Sequence, residues 1–137
     1  RDFQSQNIMI KNGKPVMIDF QGMRRGILFY DLGSLVCDPY VTFEEEEKNE
    51  LLDFYHELMK PLYSRDEFVR NFWMGSVQRL MQALGAYGFL GLKKGKRKFL
   101  GHIDNGIKNL VLATSCMETL PALNELAQRC ENILTNQ

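Results

Sequence analysis

Short apolar runs broken by polar turns open the chain, and after Pro39 the pattern changes to helical spacing. Asn7-Ile8-Met9-Ile10 and Pro15-Val16-Met17-Ile18-Asp19-Phe20 flank Lys11-Asn12-Gly13-Lys14. Asn-Gly between two such runs predicts a β-hairpin, because a type I′ turn needs positive φ at both central residues. In that register Ile10 faces Pro15, Met9 faces Val16 and Asn7 faces Ile18. Tyr30-Asp31 then leads into Leu32-Gly33-Ser34-Leu35-Val36, a short helix with Asp31 near its start and Asp38-Pro39 at its end. Thr42-Phe43-Glu44-Glu45 reads as a capping box for a helix that carries Leu51, Leu52, Tyr55, Leu58 and Met59 up to Pro61. Ser64-Arg65-Asp66-Glu67 is a second box, and it opens the longest apolar series, Phe68 to Leu84. Gly85, Gly88 and Gly91 loosen the end of that helix. A basic turn from Lys93 to Lys98 separates it from a helix over about 103–116, and 118–135 forms a last amphipathic helix. The fold class is α+β, mostly α: one hairpin followed by a helical body.

Composition sharpens this only in part. At 137 residues the chain suits one domain and can support a core without disulfides or a structural metal. Seventeen Lys+Arg balance seventeen Asp+Glu, which argues against a nucleic-acid binder that relies on bulk positive charge. The Lys93–Lys98 cluster therefore reads as a solvated turn. No apolar run approaches the roughly 18 residues of a membrane span. Cys37, Cys116 and Cys130 are scattered and form no CxxC, which favours a reducing, cytoplasmic setting. Gly85, Gly88 and Gly91 make neither a Walker loop nor GxGxxG, and His56 and His102 lack the partners of a zinc site. The chain opens on Arg1-Asp2-Phe3, with no initiator Met and no signal-peptide core, so a piece of a longer polypeptide is expected.

The densest polar chemistry lies at the start. The hairpin register brings Asn7 and Asp19 to its open end, and the loop carrying Asp2 feeds the same end. Two carboxylates and an amide converging there are hard oxygen ligands of the kind that suit Mg²⁺. Taken singly, each serves equally well as a turn-forming residue.

Together they resemble a known family. Arg1-Asp2, four residues, then Asn7 is similar to the H-R-D-x-x-x-x-N catalytic loop of kinases without its His, and Ile18-Asp19-Phe20-Gln21 stands where D-F-G would. With Tyr30-Asp31-Leu32-Gly33-Ser34-Leu35 added, the chain resembles the aminoglycoside phosphotransferase and choline kinase-like family. Gln21 is ordinary in that branch; Gly33, where Ala is common, is expected only to soften its helix. The stretches Phe20 to Gly26 and Gln78 to Tyr87 look like bacterial cell-wall amino-sugar kinases, which phosphorylate the anomeric hydroxyl of N-acetylmuramate or N-acetylglucosamine.

The resemblance implies the C-terminal lobe of a protein kinase-like fold over 1–137, with the catalytic loop at 1–7, the hairpin at 7–20 and a helical substrate subdomain over about 31–137. It implies Asp2 as catalytic base and Asn7 and Asp19 as the residues holding Mg²⁺ and ATP. Asp31 would be structural support, capping its helix or bonding the catalytic loop. Arg24 and Arg25 would grip a substrate carboxylate or phosphate, or else be plain loop arginines. The implied activity is ATP-dependent, in-line transfer to a hydroxyl of an amino sugar. An aminoglycoside or choline-type acceptor and a catalytically silent kinase-like scaffold are the alternatives, and the simultaneous presence of Asp2, Asn7 and Asp19 weighs against the scaffold. In such kinases the Gly-rich loop, the strand Lys and its partner Glu lie in an N-terminal lobe that this sequence does not contain. Residues 1–137 alone are thus expected to be nearly inactive and to expose apolar surface that invites self-association.

Overall fold

The computed structural model describes residues 2–22, 24–60 and 62–136. Arg1, in the loop expected to be catalytic, Met23, next to the arginine pair in sequence, and Pro61, expected to end a helix, lie outside the described residues.

The hairpin forms in the register read from its turn. Strand β1 (Ile8–Lys11) pairs antiparallel with β2 (Lys14–Met17), with Met9 opposite Val16 and Ile10 opposite Pro15. Asn12 and Gly13 have φ of 52° and 71°, the positive values that make Asn-Gly the residue pair of choice. The apolar side chains of Met9, Ile10, Val16 and Met17 remain exposed.

Five α-helices follow: α1 (Phe29–Val36), α2 (Glu45–Met59), α3 (Arg65–Gly88), α4 (Ile103–Ser115) and α5 (Pro121–Thr135). Helix α3 is the spine. Its buried positions Phe68, Phe72, Val77, Leu80 and Ala83 repeat at helical spacing and pack against α1 on one side and α4 on another. Ser64 caps it as expected. Its hydroxyl accepts from the Glu67 amide, and the Glu67 carboxylate accepts from the Ser64 amide at 3.0 Å. The Ser64 hydroxyl and amide also hold the Glu67 carboxyl below its usual range, so what this cap contributes is present above the unfolded value and lost as pH falls through the lowered one.

Three local readings shift. The box at the start of α2 is set by Glu44 and Glu47, not Thr42 and Glu45: the Glu47 carboxylate accepts from the Glu44 amide at 2.8 Å. Four consecutive glutamates offer several capping registers, and sequence spacing alone does not choose among them. Helix α5 begins at Pro121 rather than near residue 118, because proline suits the first helical turn, where its missing N–H is no loss. Beyond Gly88 the chain stays helical but leaves α geometry, widening into a π-helical turn, Phe89–Lys93, and later narrowing into a 3-10 segment, Arg97–His102. The two histidines sit apart, His56 edge-on to Phe68 and His102 edge-on to Tyr40. Cys37 is buried, and desolvation pushes its thiol up to about 11, which makes it inert, whereas Cys116 is exposed.

Gly33 does more than soften α1. A Cβ there would lie 2.6 Å from the Ser76 hydroxyl oxygen and 2.8 Å from the Ser76 Cα, and one on Gly75 would lie 2.8 Å from the Phe29 carbonyl. The paired glycines let α1 and α3 touch backbone to backbone. Alanine is intrinsically better than glycine in a helix by about 1 kcal/mol. Overpacking against a backbone atom that no rotamer can relieve works the other way, by roughly 1–3 kcal/mol. Gly33→Ala is therefore expected to lower the denaturant midpoint; an unchanged or raised midpoint would show that the helices can part cheaply.

Candidate active site

The loop before β1 is bent by its own backbone. Asp2 has φ of 60°, a left-handed conformation that aspartate tolerates better than most residues but that still needs support. The Asp2 carbonyl accepts from the Gln4 amide and from Asn7 Nδ2, both at 2.9 Å, and a 3-10 turn over Ser5–Asn7 closes the loop. That bond orients the Asn7 amide, leaving its Oδ1 as the acceptor on the other side. The Asn7 carbonyl accepts from the Ile18 amide at 2.9 Å, one residue before Asp19. Asp19 also has a left-handed backbone, φ 56°, and its carboxylate accepts from Gln21 Nε2. Asp2 and Asn7 are thus joined directly, and Asp19 adjoins Asn7 through the last rung of the hairpin. Two non-glycine residues in a rarely populated conformation, both aspartates, flank one hairpin end, and backbone strain of this kind clusters at functional sites.

Two residues that the sequence reading did not single out fasten this loop to the helices. Asp38, 1% exposed, accepts from the Ser5 amide at 2.7 Å and from the Tyr40 amide at 2.9 Å. Arg79, on the buried face of α3, reaches the Asp2 carboxylate at 3.4 Å, and it also donates to Gln4 and Ser34. The signal for Arg79 was present in the sequence: a lone charge on an otherwise apolar helix face requires a buried partner.

Asp31 does not cap α1. The cap position is Leu28, and Asp31 sits within the first turn. Asp31 and Tyr30 line a cleft of about 990 Å³ whose wall includes Arg24, Arg25, Tyr55, Gln78 and Gln82. The arginine pair and two glutamines one turn apart on α3, distant in sequence, thus share one concave surface. Two cations and two amides suit a polar, anionic or heavily hydroxylated ligand.

Among the described residues no group of three or more His, Cys, Asp or Glu could hold a metal ion. The Asn7 amide oxygen and the Asp19 carboxylate nevertheless fit Mg²⁺, a hard cation that retains water and takes one or two protein oxygens beside substrate phosphates. No helix of the described residues is long and apolar enough to cross a membrane.

A strained loop, a hairpin and a helical body make up the C-terminal lobe of a kinase-like fold. The sequence profile of the phosphotransferase enzyme family matches residues 1–69, and the chain belongs to that family. It is 37% identical over 116 residues to an N-acetylmuramate/N-acetylglucosamine kinase of Neisseria meningitidis, which covers 80% of this chain and 34% of that protein. Proteins of the same name from Pseudomonas aeruginosa and Pseudomonas putida are 28% and 26% identical, over 92% and 75% of this chain and 39% and 32% of their own lengths. The chain therefore spans between about a third and two-fifths of the curated relatives it matches.

Proposed function

We propose that the intact protein is an ATP-dependent phosphotransferase that places phosphate on a hydroxyl of an amino sugar, with N-acetylmuramate and N-acetylglucosamine as the acceptor class. The observation that carries this reading is the junction of Asp2, Asn7 and Asp19 around one hairpin end, in a chain of the phosphotransferase family. In it Asp2 orients the acceptor hydroxyl and takes its proton, a role its half-exposed side chain can fill while the backbone beneath it is fixed. Asn7 and Asp19 would hold Mg²⁺, which when bound neutralises phosphate charge. The protein's share of the chemistry is positioning more than covalent help.

The cleft lined by Arg24, Arg25, Gln78 and Gln82 would receive the acceptor. Its two guanidinium groups outnumber the Asp31 carboxylate on the same wall, which disfavours a polycationic aminoglycoside or a quaternary ammonium such as choline and favours a sugar that carries a carboxylate. The exposed apolar side chains of the hairpin give the remainder of the intact protein a surface to pack on. The name shared by the relatives supports the amino-sugar assignment, and the conjunction of all three site residues weighs against a silent scaffold.

ADP release by the intact protein, measured with N-acetylmuramate, N-acetylglucosamine, kanamycin and choline, tests the acceptor class. Turnover with the two amino sugars alone is expected, and a preference for kanamycin or choline would overturn the assignment. Arg24→Ala with Arg25→Ala should raise KM for N-acetylmuramate more than for N-acetylglucosamine, since only the former carries a carboxylate. Equal changes would mean that the pair does not read that group.

A further inference from the structure

We infer that Arg79 is a positioning residue for phosphoryl transfer, setting the Asp2 carboxylate from inside the helical body. The inference rests on Asp2 being the base.

Arg79 is 8% exposed, on the face of α3 that also buries Phe72, Ser76, Leu80 and Ala83. A guanidinium withdrawn from water is tolerated only where its donors and charge are met. Here Nε donates to the Ser34 hydroxyl at 2.9 Å, Nη2 donates to Gln4 Oε1 at 3.0 Å, and the same Nη2 stands 3.4 Å from Asp2 Oδ1. One rigid fork thus holds a helix on one side and the catalytic loop on the other. Ser34 belongs to α1, whose neighbouring Gly33 lies against Ser76 of α3, so the anchor stands where the two helices are in closest contact. Gln4 and Asp2 belong to the strained loop.

The division of labour follows from exposure. The Asp2 side chain is 49% exposed and that of Arg79 is 10% exposed. The carboxylate is therefore open to a substrate on one side and tethered by a buried charge on the other. Arg79 fixes Asp2 to α3, the helix that also buries Phe68, Phe72 and Leu80. Lysine keeps the charge but not the fork, and cannot reproduce the donation to Ser34 and Gln4 together.

The test is a double-mutant cycle in the intact protein. Arg79→Lys is expected to lower kcat by about 10–10²-fold, the scale of a slightly misplaced catalytic group, with KM for ATP and acceptor nearly unchanged. Combined with Asp2→Asn, the same substitution should change kcat little, because the group it positions has lost its chemistry. Ser34→Ala, which removes only the anchor, should give a smaller loss in kcat with KM again unchanged, and it carries the test if Arg79→Lys does not fold. A wild-type kcat in Arg79→Lys, or equal losses with and without Asp2, would overturn the inference and leave Arg79 a structural ion partner. Normal turnover in Asp2→Asn alone would instead overturn the assignment of the base, a distinguishable result.

Discussion

Asp2→Asn in the intact protein is expected to reduce turnover by about 10²–10⁴-fold while leaving nucleotide affinity intact, the range typical of a positioned acid–base group. The amide is isosteric, so it can keep the carbonyl contacts that bend the loop. Those contacts run through the Asp2 backbone, to the Gln4 amide and Asn7 Nδ2, and do not depend on the carboxylate. What the substitution removes is the proton acceptor and the ion pair to Arg79. Steady-state kinetics with ATP titrations would separate the two parameters, and near-normal turnover with normal ATP binding would show that Asp2 is not the base.

Asp19→Ala is the second large effect. Asp19 follows Ile18, whose amide closes the hairpin onto the Asn7 carbonyl, so the two residues are neighbours at the hairpin end. Removing the Asp19 carboxylate takes one of two protein oxygens from a site that would neutralise phosphate charge. Losses from deleting one electrostatic stabiliser run to about 10²–10³-fold in kcat. Calorimetric titration with ATP, in Mg²⁺ and then in EDTA, gives a readout independent of turnover. Wild type should bind more tightly in Mg²⁺, and Asp19→Ala should lose that difference. A variant that retains both the Mg²⁺ dependence and the rate would remove Asp19 from the metal site.

What could be read in the sequence was local. The hairpin and its register followed from Asn12-Gly13, since only a few residues accept the two positive φ values that the turn imposes. The α3 cap followed from Ser64 and Glu67, and its core face from the spacing of Phe68, Phe72 and Leu80. The α2 cap did not, because Glu44 to Glu47 give equivalent choices.

The long-range ties were out of reach. Asp38 bonds Ser5 across 33 positions and Arg79 bonds Gln4 across 75, and no local pattern pairs such residues. Gly33 looked interchangeable with alanine because helix propensity is a one-helix property; the obstacle is Ser76, on another helix. Arg24 and Arg25 were visible as a pair, but that they share a concave surface with Gln78 and Gln82 depends on how α1, α2 and α3 pack. Asp31 was read as capping its helix or bonding the catalytic loop; the cap is excluded because in the fold the helix begins before it.

The most direct test of the account is transfer of a radiolabelled γ-phosphate from ATP to N-acetylmuramate and N-acetylglucosamine, with wild type and Asp2→Asn compared side by side. A labelled sugar phosphate is expected with wild type and almost none with the variant. Equal labelling by the two proteins, or label that stays in ATP and inorganic phosphate with wild type, would contradict it.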